Sequence, residues 1–374
     1  MLVPEWHPQA LVLIAWPTAQ TDWADTLDDI ILCYKHLTAA VSQYTPLLIL
    51  AHRADDVRQA LSDPTWQGRP EHVQIIECLY NDTWTRDYGP IACTDGNDLV
   101  LHDFRFNGWG GKFTADLDDA VTRYLVGHGL LRARCIDESD MVLEGGSIDT
   151  DGQGTLLTTT QCLLNPNRNP HLTRQQIEAE LCQRFHLRRI LWVDHGQLPG
   201  DDTDAHIDMF ARFCSPDTIA YAQCADPHEG QYDELTAMEE QLRTFTTTDG
   251  SPYRLIPLPL PHPVYDQHGQ QLPATYTNFL ITNGAVIYPI YQQPDCDSLA
   301  RNHLCTAFPT YQLIPIDARA LITQRGAIHC ATMNIPAGAL LRNDEFAVPS
   351  RSMNGSAPAH ATEGTGSRLA YQEK

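Results

Sequence analysis

A thiol, an imidazole and several carboxylates are what it takes to attack a cationic guanidinium carbon, and this chain carries them in short, separated motifs. The thiol is Cys330, at the end of Gly326-Ala327-Ile328-His329-Cys330. Read as a strand residue, it is either a nucleophile or a small core side chain. Its neighbour His329 would then face the opposite way, which makes it a packed or hydrogen-bonded histidine and not the base for Cys330. His206 and Asp208 are two apart, so on a strand they share a side: a base beside an acid that could hold a substrate. Asp87 lies between Trp84 and Tyr88, where an acid flanked by rings offers a flat cation both ion pairing and cation–π contact. Glu144 precedes two glycines, at which the backbone turns tightly and admits a ligand closely.

Each motif also has a plainer reading: an Arg86–Asp87 surface pair, a capping Glu144, or a solvated acidic loop over Asp201, Asp202 and Asp204. His206-x-Asp208 could open a metal site, but no further ligand stands at motif spacing, and no metal is expected. Recognition of free arginine needs a cation for the α-carboxylate, and no isolated basic motif adjoins these residues; Arg86 and Arg168 are the candidates.

The elements that must position these groups alternate regularly. Strand-like runs cover Leu11 to Trp16, Pro46 to Ala51, Val73 to Tyr80 and Leu99 to Phe106, and a helical period covers 26–44. Further helices are expected near 116–130, 173–186, 233–245 and 297–308; Thr173 with Gln176 forms a capping-box signature. Asp151-Gly152 and Asn283-Gly284 are hairpin turns, and a third hairpin pairs Ile207 to Phe213 with Thr218 to Cys224. The order strand, strand, helix, strand recurs without a literal sequence repeat. The proline-rich Ile256 to Pro263 reads as a surface loop. Residues 1–345 read as a single domain, and the Ser/Gly/Ala/Thr-rich 346–374 as a disordered tail.

With 374 residues, 43% hydrophobic, the chain can bury a substantial core. Its formal net charge of −22 disfavours nucleic acid and anionic membrane and mildly favours a cationic ligand. Eleven cysteines with no Cys-x-x-Cys pattern read as reduced thiols in a cytoplasmic protein. The opening Met1-Leu2-Val3-Pro4-Glu5-Trp6 lacks the features of a signal peptide, and no apolar run reaches membrane-spanning length.

Taken together, the motifs resemble one family. Trp84-x-Arg86-Asp87-x-Gly89-Pro90, Leu143-Glu144-Gly145-Gly146-Ser147-Ile148, Cys162 to Pro170, Gly200-Asp201-Asp202-Thr203-Asp204-x-His206-x-Asp208 and Ile328-His329-Cys330 resemble the agmatine deiminase and bacterial peptidyl-arginine deiminase family. So do Pro4-Glu5-Trp6, Ala15-Trp16-Pro17, Phe106-Asn107-x-Trp109-Gly110-Gly111 and Tyr276-x-Asn278-Phe279. The resemblance runs in order from residue 4 to about 340. It implies an α/β pentein propeller: five ββαβ units with pseudo-fivefold symmetry around a central site.

The resemblance also implies roles. Asp87 and Asp208 would hold the guanidinium, and Cys330 would attack its carbon. His206 would shuttle the proton under the influence of Glu144, while Trp84 and Asp202 would line the substrate site. No cofactor is implied; the expected partner is a small guanidino substrate, with homo-oligomerisation left open. The products would be ammonia and N-carbamoylputrescine, on the route to polyamines. The chain departs from agmatine deiminases at Gln324 to Ile328, where they carry a glycine-rich run, and at Ala331 to Asn334. Peptidyl-arginine or arginine deimination, amidino transfer, and binding of cationic metabolites without catalysis are the alternatives.

Overall fold

The computed structural model describes residues 1–96 and 98–339; the tail expected from 346 lies outside them. Within them, five sheets follow one plan: an antiparallel pair to which the chain adds a parallel third strand after a helix. The first combines Ile91–Asp95, Asp98–Arg105 and Arg134–Val142, with the helix Val121–Gly127 before its last strand. The second combines Ile148–Thr150, Thr155–Thr159 and Arg189–Val193, and its helix is Arg174–Phe185. In the third, Ala211–Ser215 and Thr218–Gln223 are followed by the helix Tyr232–Leu242 and the strand Arg254–Pro259. The fourth has Leu280–Ile281, Ala285–Ile290 and Gln312–Asp317, with the helix Pro294–Ala307. The fifth joins the two ends of the described chain. Met333–Pro336 runs antiparallel to Gln9–Ala15, which is followed by the helix Leu27–Ser42 and the parallel strands Leu47–Ala51 and Val73–Glu77.

The local chemistry accounts for these elements. Leu47–Ala51 is buried at every position, as expected of an inner parallel strand, and so reads as unbroken apolar sequence. Thr173 accepts from the Gln176 amide while the Gln176 side chain accepts from the Thr173 amide, so the predicted capping box forms. His186 ends that helix in a left-handed conformation at φ 52°. Apolar faces from all the sheets and helices merge into one continuous buried cluster.

Three expectations need correction. Proline-rich 256–263 is not wholly a loop: Arg254–Pro259 pairs in parallel with Thr218–Gln223 and buries Ile256 and Leu258. It lies at the sheet edge, where the missing N–H groups of Pro257 and Pro259 break no ladder. Residues 207–209 form a single 3-10 turn, and the strand begins only at Ala211. Cys330 likewise lies in a turn, with the strand starting at Met333. The alternation argument used for His206, Asp208 and His329 therefore does not apply, although these side chains still converge.

Candidate active site

The segment leading into each sheet's antiparallel pair delivers a polar residue to one place. Asp87 is on a single helical turn, Thr85–Tyr88, ahead of Ile91–Asp95. Glu144 precedes Ile148–Thr150, and His206 and Asp208 precede Ala211–Ser215. Asn278 stands before Leu280–Ile281, and Cys330 before Met333–Pro336. All six are buried.

Gly146 marks the centre. A Cβ at this position would lie 2.7 Å from His206 Nδ1, 2.8 Å from Asp87 Oδ1 and 3.1 Å from Asp208 Oδ2. Only glycine lets these three groups approach, and its amide donates to Asp87 Oδ1 at 2.9 Å. The other Asp87 oxygen accepts from Trp109 Nε1 at 3.0 Å. Trp109 adopts φ 54° and ψ 46°, a left-handed conformation unusual for a bulky residue, within a glycine-rich loop that aims the indole at the acid.

Cys330 Sγ receives a hydrogen bond from Asn278 Nδ2 at 3.1 Å and donates toward Asp208 Oδ2 at 3.6 Å. Asn278 Oδ1 in turn accepts from the backbone amides of His329 and Cys330, so one side chain fixes the turn and touches the thiol. His329 is hydrogen-bonded, as expected: Nδ1 meets Asp208 Oδ2 at 2.7 Å and Nε2 meets Glu5 Oε2 at 3.0 Å. Arg86 and Asp87 are buried and do not form a surface pair; Arg86 donates to Asn334 Oδ1 at 2.6 Å.

Glu144 Oε1 accepts from Arg168 Nε at 3.0 Å. Arg168 also donates to the Thr203 carbonyl and pairs with Asp204, which orders the loop before His206. Asp201 braces the same loop by accepting from Thr203 and Ala205. Glu144 Oε2, Asp208 Oδ1 and both nitrogens of His206 are buried without a hydrogen-bond partner, although His206 Nδ1 lies 3.6 Å from Asp87 Oδ1. Groups of this kind are destabilising at rest and are available to a ligand. Ligand atoms of Glu144, Cys162 and His206 lie within 4.8 Å of one another, a set that could suit a metal by type. The Arg168 guanidinium on the same carboxylate opposes a second cation there.

The electrostatics separate the groups. Burial, reinforced by Asp208, pushes the Asp87 carboxyl up to about 7. Burial also acts on Asp208, but the hydrogen bond and charge of His329 outweigh it and hold this acid below its ordinary value. Burial lowers His206 against the opposing pull of Glu144 and Asp208, so the imidazole rests neutral near pH 7. The Cys330 thiol is driven well up by burial and then by Asp208 and Asp87.

A narrow cleft reaches this centre. Trp84, Asp87, Trp109 and Cys330 line its floor, and Asp22, Asp82, Asp202 and Arg325 are among the residues around its mouth. Trp84 packs against Trp23 with ring centroids 5.7 Å apart. All seven residues expected at the site are thus brought together, five at the centre and Trp84 and Asp202 along the cleft. Trp109, Asn278 and Glu5 stood in matched motifs without an assigned role. The regular rhythm predicts a contributing residue ahead of each hairpin, a signal that could have singled out Asn278. Of the two cations the sequence offered for a carboxylate, Arg86 is turned to Asn334 and Arg168 to Glu144 and Asp204, whereas Arg325 lines the cleft.

The Porphyromonas-type peptidyl-arginine deiminase family matches residues 1–336. The chain belongs to that family. Within reach of it, agmatine deiminase of Medicago truncatula is 32% identical over 364 residues, covering 89% of this chain and 95% of that protein. The structure of a cysteine-to-serine variant of C. jejuni agmatine deiminase with substrate bound is 36% identical, with a TM-score of 0.81 over 89% of this chain and 95% of that one. A proposed arginine deiminase from Porphyromonas gingivalis is 42% identical, with a TM-score of 0.85 over 91% of this chain and 99% of that one. Family members of known structure thus share this α/β fold of mixed sheets.

Proposed function

We propose that this chain is a guanidine deiminase that hydrolyses agmatine to N-carbamoylputrescine and ammonia. The observation that carries the reading is the convergence of Asp87, Asp208 and His206 on one point over Gly146, with the Cys330 thiol against Asp208. Asp87 and Asp208 hold the guanidinium by charge-assisted hydrogen bonds and present its carbon to Sγ. The resting thiol is neutral, and the arriving cation is what favours its ionisation.

The Cys330 proton passes to the neutral His206 as the thiolate forms a C–S bond at the guanidinium carbon, and the imidazolium then delivers that proton to the departing nitrogen, which leaves as ammonia. Water then adds to the thiouronium carbon and gives a proton to His206. The C–S bond breaks, the thiol is restored, and the ureido product is released. Glu144 supports the charged form of His206 during the cycle.

The five sheets support a pseudo-fivefold propeller around this site, within a single catalytic domain spanning 1–345. Eleven free cysteines suit the cytoplasm, and among the described residues no helix is long and apolar enough to cross a membrane. A second reading, deimination of arginine or C-terminal peptidyl-arginine, draws on Arg325 as the cation for a carboxylate.

The test incubates the protein with agmatine, L-arginine and an arginine-terminated peptide, scoring ammonia and ureido product. Agmatine is expected to yield both, and Cys330→Ala to yield neither while keeping the wild-type circular dichroism. Normal turnover by Cys330→Ala would remove the assigned nucleophile, and turnover of arginine alone would favour the second reading.

A further inference from the structure

The mouth of the cleft already contains a cation supplied by the chain. Arg325 Nε lies 3.6 Å from Asp202 Oδ2, Nη1 donates to the Gly200 carbonyl at 2.6 Å, and Nη2 reaches Gln270 Oε1 at 3.4 Å. One side chain thus joins the turn before Cys330 to the loop before His206 and to Gln270. The cleft that it borders is also lined by Trp84, Asp87, Trp109 and Cys330.

Arg325 holds its place at a conformational cost. Its φ of 70° is in the left-handed region that glycine tolerates and a longer side chain resists. The other nearby cation does not serve Asp202 in the same way: Lys112 donates to the Asp202 backbone carbonyl and pairs with Asp204. The Asp202 carboxylate, an acid lining the cleft, is therefore engaged by Arg325.

We propose that Arg325 is a specificity-determining residue, occupying the acid that would otherwise take the distal ammonium of the substrate. A second cation on the substrate then binds by exchanging with the Arg325 guanidinium on Asp202. This rests on the guanidine deiminase reading and adds to it what the site discriminates at the far end of the substrate.

The experiment compares kcat/KM for agmatine and for butylguanidine, which has the same carbon chain without the amine. Wild type, Arg325→Gly, Asp202→Asn and the double variant are measured, with circular dichroism and thermal midpoint confirming each fold. Glycine suits the φ at 325, so that variant is expected to fold. The agmatine-to-butylguanidine ratio should rise about three- to fivefold in Arg325→Gly, the scale of a partly exposed ion pair. It should fall in Asp202→Asn, and the gain should vanish in the double variant.

An unchanged or lowered ratio in Arg325→Gly overturns the inference. Equal gains for both compounds would make Arg325 a steric bar only. A gain surviving Asp202→Asn would place the ammonium on Asp22 and Asp82. If wild type turns over neither compound but binds them, the deiminase reading fails, and the same ratio taken from calorimetric affinities decides the role of Arg325. Neither binding nor turnover overturns both.

Discussion

Asp87 and Asp208 have the same carboxyl group and are driven apart by what lies behind them. Asp208 has His329 at 2.7 Å and stays ionised, whereas burial and the charge of Asp208 raise Asp87 to about 7 against the weaker pull of the neutral donors Trp109 and Gly146. In the proposed mechanism both acids grip the guanidinium in ionised form, so binding would expel a proton from Asp87 below that pH. In Cys330→Ser, which lacks the proposed nucleophile, calorimetric affinity for agmatine should fall about tenfold per pH unit below 7, with proton release seen as a buffer-dependent enthalpy. An affinity flat from pH 5.5 to 8 would contradict this assignment. The elevated Cys330 thiol makes a second prediction: iodoacetamide should label it slowly in the free protein at pH 7.5, faster as pH rises. The reactive residue types were legible in the sequence because thiol, imidazole and acid are needed together. Their charge states were not, since burial and second partners such as His329 set them.

At the scale of elements, the site is built by short turns that feed the strands, not by the strands themselves. The sequence rhythm located helices such as Arg174–Phe185 and hairpins such as the one around Asp151-Gly152, because capping and turn residues act locally. It misplaced 206–208 and 328–330 on strands, since a turn immediately before a strand has the same apolar composition and is decided by tertiary contacts such as those of Asn278. Gly146, on the turn Gly145–Ser147, is the feeder position where a Cβ would meet His206, Asp87 and Asp208 together. Gly146→Ala should lower kcat/KM about 100-fold, because displacement of His206, Asp87 and Asp208 spoils the attack geometry. Its thermal midpoint should move far less than its activity; a variant within threefold of wild type would mean that the centre tolerates the methyl.

Across the molecule, a buried ionic network connects the N-terminal segment to the site. Arg212 pairs with Glu5 and Asp149, lies over Phe279 at 5.0 Å and donates to the Phe279 carbonyl; Glu5 continues to His329 and the Ile281 amide. Burial alone would raise Glu5, but Arg212 and His329 outweigh it and hold the acid far below its ordinary 4.5. That contribution to stability is complete above pH 4.5 and is lost as the pH falls, so the thermal midpoint should decline on acidification. Arg212→Ala would strand two buried carboxylates and should destabilise the fold by about 3–5 kcal/mol in denaturant unfolding. A loss below about 1 kcal/mol would show that the network is not structural.

The sheet that joins Gln9–Ala15 to Met333–Pro336 also sets an order of events during synthesis. Asp87, Glu144, His206 and Asp208 emerge from the ribosome well before Cys330, and the strand that seats the thiol needs the first strand of the chain as its partner. A growing chain can thus fold successive sheets around a set of acids that has no nucleophile. With Cys330 as the proposed nucleophile, the chemistry becomes available only once Met333–Pro336 pairs with Gln9–Ala15.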